Sequence, residues 1–120
     1  MDAGFTGNVE LLTRLMSAAT ERGRVIASNV ANSNTPGYRR QTVQFESLLS
    51  SALATGETDL RDIAPERRED FVTPMGADGN NVTLELELTA DRQNRLLYDT
   101  YAAILQSHFD LMKAAVESGR

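Results

Sequence analysis

Along the first thirty residues, apolar or small side chains recur at Phe5, Val9, Leu12, Met16, Ala19, Gly23, Ile26 and Val30. Steps that alternate between four and three are those of a helix with a coiled-coil-like seam. A helix over Phe5–Val30 would be roughly 39 Å long at about 1.5 Å per residue. Glu10, Arg14, Glu21, Arg22 and Arg24 fall off the seam, as an exposed face requires. Gly23 sits on it, although glycine costs up to about 1 kcal/mol against alanine inside a helix. Either another backbone approaches closely there, or the position is exposed and tolerant.

The periodicity stops after Val30. Asn32, Ser33 and Asn34 have short polar side chains that compete for backbone hydrogen bonds and disfavour more helix. Pro36 has no amide to donate and biases Thr35 toward extended geometry. Gly37 can take the positive φ that a type II turn over Thr-Pro-Gly-Tyr needs at its third position. The pattern predicts a long helix, then a tight turn.

Beyond the turn, Phe45, Leu48, Leu49, Ala52 and Leu53 have helical spacing, ended by Thr55-Gly56. From Glu57 to Asn81 the periodicity disappears. Mixed charges with Pro65 and Pro74 predict a solvated loop, in which only Phe71 and Val72 look able to dock, as a short extended piece. Asp78-Gly79-Asn80-Asn81 is turn chemistry; the ligand spacing of a calcium loop is absent. Asn81-Val82-Thr83 fits a glycosylation acceptor only formally.

Leu84 to Leu88 alternate with glutamates for five residues, but the period is then helical to the C-terminal end. Leu97, Tyr101, Ile104, His108, Leu111 and Ala115 form one stripe, and Tyr98, Ala102, Leu105, Phe109, Met112 and Val116 its neighbour. One helix over 82–118 is expected, with Glu85 and Glu87 near its N-terminus and Lys113 near its C-terminus, as the macrodipole favours. The fold class that follows is mainly α. Residues 1–40 and 82–120 form two long helices packed as a coiled-coil hairpin, and 41–81 a mostly irregular middle segment with one short helix. Two stripes on the second helix against one on the first leave apolar surface uncovered, which marks an interaction site. With few large apolar residues per turn, an isolated chain should be only marginally folded until assembly supplies burial.

Composition narrows the function. The 120 residues carry a net charge of −5, with no Cys and no Trp. The middle third holds eight acids against three arginines, the opposite of the clustered cations of a nucleic-acid surface. The start, Met-Asp-Ala-Gly-Phe, lacks a basic region followed by an apolar run, and no segment approaches a membrane span. No cleaved signal peptide is therefore expected. His108, the only histidine, falls on an apolar stripe as a packing residue. No Ser has a local His-acid arrangement, and the glycines are not spaced to cradle phosphate. The chain thus offers no catalytic, cofactor-binding or metal-ligating candidates.

The run Ile26-Ala-Ser-Asn-Val-Ala-Asn-Ser-Asn-Thr-Pro-Gly-Tyr38 closely resembles the signature of the flagellar rod, hook and hook-associated axial proteins. In that family an Asn-(Ile/Val)-Ala-Asn-x-x-Thr-Pro-Gly-Tyr segment closes the N-terminal helix. Asn29, Ala31, Asn32, Thr35, Pro36, Gly37 and Tyr38 match it in order. Asp78-Gly-Asn-Asn-Val82 before the long second helix is similar to the small proximal-rod members. Thr83 stands where an acidic residue is expected, so the choice between the two related kinds of proximal-rod subunit stays open. The distal members carry an inserted β domain, for which about fifty residues between the helices leave no room. Phe5-Thr-Gly-Asn-Val9 resembles the short element by which such subunits engage the export gate.

The resemblance implies a structural subunit of the proximal rod, located in the periplasm and exported uncleaved through the flagellar type III channel, which would override the cytosolic default. It implies self-association in a helical assembly that transmits torque. The implied partners are other rod proteins, the ring-to-rod adaptor, the membrane-supramembrane ring protein and the export apparatus. Nucleic acid and membrane insertion are not expected. The assembly seam would comprise Phe5, Val9, Leu12, Met16, Ala19, Ile26 and Val30, with Leu97, Tyr98, Tyr101, Ile104, Leu105, Phe109, Leu111 and Met112. The rival reading from the residues alone is a stand-alone cytoplasmic coiled-coil adaptor.

Overall fold

A computed structural model describes residues 3–57 and 59–119, with side chains from residue 7 onward. Helix α1 runs Ala3–Ala31, strand β1 Gln41–Gln44, helix α2 Glu46–Ala54, strand β2 Glu66–Glu69 and helix α3 Leu84–Ser118. The two long helices pack antiparallel, since Asn29 meets Glu87 while Ala19 meets Asn94 further along α3. The molecule is elongated, 68 × 29 × 15 Å. The alternating leucines at the start of α3 are helical, as the longer periodicity indicated.

Helix α1 is covered on a second face as well. Ala18 packs with Phe45 and Leu49, and Leu11, Leu15, Leu60 and Ile63 close around them. Arg14 holds the covering loop by donating to the carbonyls of Leu60, at 2.5 Å, and Ile63, and its guanidinium lies 5.6 Å from the Phe45 ring centroid. This is a small core for 120 residues, and much of what is buried elsewhere is polar: Asn29, Asn80, Asn81, Glu87 and Asn94.

The middle segment corrects two expectations. Phe71 and Val72 do not dock; they are 71% and 92% exposed, and Leu60 and Ile63 cover the core instead. The extended piece is Glu66–Glu69, paired antiparallel with β1 in the register Gln41↔Glu69 to Gln44↔Glu66. Neither strand alternates apolar and polar residues, because β2 is exposed throughout and only Val43 of β1 is buried. The pairing is held from outside the ladder: Arg67 forms an ion pair with Glu21 of α1, and Asp70 donates its N–H to the Arg40 carbonyl at 2.8 Å.

Candidate assembly interface

The turn that closes α1 is a built object. The Tyr38 N–H donates to the Thr35 carbonyl at 3.2 Å, and Gly37 has φ +75°, the left-handed value the type II turn requires. Residues 78–82 clamp it. Asn80 Nδ2 donates to the carbonyls of Asn32 and Thr35, each at 2.8 Å, and Gly37 N–H donates to the Asp78 carbonyl at 2.8 Å. Gly79, at φ +80°, lies against Gly37, and a Cβ there would stand 3.4 Å from the Gly37 Cα. Asn32, Thr35 and Gly37 of the signature thus form a dock for the second loop, and the Tyr38 hydroxyl turns to Asn29; Ala31 and Pro36 are exposed.

Behind the turn lies a buried polar network. Asn29 Nδ2 donates to the Gln41 carbonyl at 2.8 Å and to Glu87 at 3.1 Å, while its Oδ1 accepts from Tyr38 Oη and the Gln41 N–H. Arg40 bridges Glu87 and Asp70. Asn81 accepts from the Arg40 N–H and donates to the carbonyls of Asp70 and Thr73. A hydrogen bond from the Thr73 hydroxyl at 2.6 Å, with N–H donors from Thr73 and Val72, holds the Asp70 carboxyl well below the usual carboxylate range.

A second network ties the middle of the hairpin. Arg22 pairs with Glu46 at 2.6 Å and donates to Asn94 Oδ1 at 3.1 Å, and Tyr101 Oη donates to Glu46 at 2.9 Å. Burial alone would raise the Glu46 carboxyl, but the Arg22 hydrogen bond, helped by its own backbone N–H and by Tyr101, holds it below its ordinary value. Burial and the adjacent Glu46 carboxylate push the Tyr101 phenol up to about 12.

Within the expected seam, Leu12, Ala19, Ile26 and Tyr101 are buried by the chain itself, and Val9, Met16, Leu105 and Met112 are half-buried. Val30, Leu97, Tyr98, Ile104, Phe109 and Leu111 are exposed. Phe5, with the export element it opens, lies outside the residues whose side chains are described. Gly23 meets no backbone: a Cβ there would lie 3.6 Å from Asn94 Nδ2, which is ordinary contact.

The exposed residues of α3 are arranged differently from the expectation that α1 would cover one of two stripes. At about 100° per residue, Leu97, Ile104 and Leu111 fall on one line, and Tyr98, Phe109 and Val116 on another about 100–140° round. The buried or half-buried Asn94, Tyr101, Leu105 and Met112 lie between them. Helix α1 therefore covers the inner edge of both stripes and leaves the outer edges as two apolar flanks, one on each side of the hairpin. Leu111 is 69% exposed and Val116 58%. On one side the groove between the helices, lined by Ile26, Ala27, Val30, Leu84 and Leu88 with Glu87 and Asp91 among them, is also mostly apolar.

Glu87, Asn94, Arg40, Asp70 and Asn80 escape a search for apolar periodicity, since polar residues on a helix or loop read as surface. One signal was available: Glu87, Asn94 and Tyr101 stand seven residues apart, a heptad position that is polar each time. Among the described residues, no cluster of three or more acids or histidines could hold a metal ion, and no helix is long and apolar enough to cross a membrane.

Comparison with known proteins agrees with the signature. The family profile described as flagella basal body rod protein matches residues 15–39, the seam's second half and the docked turn. The flagellar basal body rod protein FlgB of Bacillus subtilis (strain 168) is 29% identical over 126 residues, covering 97% of this chain and 98% of that protein. FlgB of Borrelia hermsii is 27% identical, covering 94% and 98%. FlgB of Aeromonas hydrophila is 30% identical over 112 residues, covering 82% and 85%. The likeness runs through both helices and the middle segment, so the chain belongs to the FlgB family of flagellar basal body rod proteins.

Proposed function

We propose that this chain is a non-enzymatic structural subunit of the proximal rod, stacked helically in the periplasm and transmitting torque. It reaches that place uncleaved through the flagellar export apparatus. Its neighbours are other copies, other rod proteins, the ring-to-rod adaptor and the membrane-supramembrane ring protein. The observation that carries this reading is the pair of apolar flanks. A subunit with one sticky side pairs and stops, whereas one with two opposed sides has neighbours on both and extends by heterologous contacts.

The flanks can be broken one at a time. In a strain lacking the native subunit, Leu97→Asp with Ile104→Asp should abolish swimming and intact basal bodies, and Tyr98→Asp with Phe109→Asp should do the same. These side chains are 37–46% exposed, so each purified variant should still fold, with a modest fall in melting temperature. Normal motility with both flanks charged would overturn the proposal. A purified wild-type chain that forms a stable helical dimer, indifferent to other axial components, would favour a stand-alone adaptor instead. Ile26→Asp is unsuitable for this purpose, because Ile26 is buried within the chain and a charge there attacks the fold.

A further inference from the structure

The face of α3 turned toward α1 is unlike an ordinary coiled-coil seam. Its buried residues are Glu87, Asn94 and Tyr101, one per heptad and all polar, and each has a different partner. Glu87 accepts from Asn29 and Arg40. Asn94 donates to the Ala19 carbonyl at 2.7 Å and accepts from Arg22. Tyr101 donates to Glu46. An apolar seam is nearly indifferent to sliding by seven residues, because one leucine replaces another; single polar residues within a seam specify alignment. Here a slide of seven toward the turn would set Asn94 against the Arg40 guanidinium, which would lose Glu87 and keep only Asp70, and Tyr101 against Arg22 and the Ala19 carbonyl. The observed alignment satisfies all three, and that slide gives each a partner of different chemistry.

We infer that Glu87, Asn94 and Tyr101 set the register of the α1–α3 hairpin. They thereby determine which apolar side chains of α3 are left outward, although none of the three faces outward itself. The register claim stands on contacts within the chain. Its consequence for neighbours rests on the rod-subunit reading, and the two are tested separately.

The chain has no native cysteine, so two spin labels can be placed on exposed positions, at Thr20→Cys and Gln106→Cys, in an osmolyte that favours the compact state. Wild type should give a single inter-label distance. A chain carrying Arg40→Met, Glu87→Leu and Asn94→Leu removes the Arg40–Glu87 pair as a unit and leaves Asp70 to its Val72 and Thr73 donors; it should melt lower but stay folded in the osmolyte. It should show a second population displaced by about 10 Å, the rise of seven helical residues. Asn94→Leu alone, with both ion pairs intact, should show the same population in smaller amount.

A merely stabilising role would lower the melting temperature without adding a distance. One native distance in the folded variants, or several in wild type, overturns the inference. If the triple variant does not fold, Asn94→Leu decides alone; if neither folds, these residues serve stability and the inference falls. In cells the slipped chain should swim poorly. Full motility despite split distances would remove the link to the rod while leaving the register claim intact.

Discussion

The two ends of the hairpin are held by opposite means. At the turn end, almost every polar group within reach is used inside the chain. Asn29, Asn80 and Asn81 each bond to two or more partners, and Arg40 joins Glu87 to Asp70. Toward the far end of α3 large apolar side chains stand uncovered, with Ile104, Phe109, Leu111 and Val116 all exposed. Directional contacts tolerate little displacement, so they suit the part of the molecule that must have one shape. Non-directional burial suits surfaces that wait for another chain. The difference teaches that fold specificity and assembly affinity have been given to different chemistries at different places.

The largest effect should come from orphaning the buried carboxylate at the turn end. Glu87 is fully buried and Arg40 nearly so. Arg40→Ala would leave Glu87 with only the Asn29 amide and should cost about 3–5 kcal/mol, read by denaturation in an osmolyte that holds the wild-type chain compact. A cost below about 1 kcal/mol would mean that the turn end is held by something other than this network, and the contrast between the ends would lose its basis.

Asp70 sharpens the same contrast through pH. Its folded value is depressed, first by the Thr73 hydroxyl. Its contribution is therefore fully present above the unfolded value, near pH 4, and is lost as pH falls through the folded value below the usual carboxylate range. Thr73→Val removes that donor, so the folded value rises toward normal. Stability near neutrality should drop by about 1.5 kcal/mol, the scale of a hydrogen bond to a charged group. The gap between variant and wild type should close as the solution is acidified toward about pH 2. A gap that stayed constant between neutrality and that pH would assign Thr73 a packing role instead.

The sequence discloses these two ends unequally. Both long helices, the short α2, the positive φ of Gly37 and the Asp78–Asn81 turn follow from local rules of spacing and backbone chemistry. The β1–β2 pairing does not, because Gln-Thr-Val-Gln and Glu-Arg-Arg-Glu carry no two-residue alternation; what places them is Arg67 reaching Glu21 and Asp70 reaching back to Arg40, partners 30 or more residues away. The signature residues announced a turn but not its dock, since Asn80 and Asn81 have the same composition whether they merely bend the chain or clamp a neighbour. Apolar spacing on α3 correctly indicated surplus surface. It misplaced the line of contact, because α1 packs along a polar heptad position between the two stripes.

Gly23 gives the smallest and most discriminating effect, because it lies where the two chemistries meet. Its neighbour across the hairpin is Asn94, and a methyl group would sit 3.6 Å from that side chain, so within the chain nothing opposes alanine. Gly23→Ala should raise the stability of the isolated chain by up to about 1 kcal/mol, the helix-propensity difference. Yet Gly23 also lines the apolar groove with Ile26, Ala27, Val30, Leu84 and Leu88. If a neighbouring helix packs into that groove, the added methyl holds its backbone off, and motility should fall even as the melting temperature rises. A variant that is both more stable and fully motile would show that the groove is not occupied at Gly23 and would confine assembly to the outer flanks of α3.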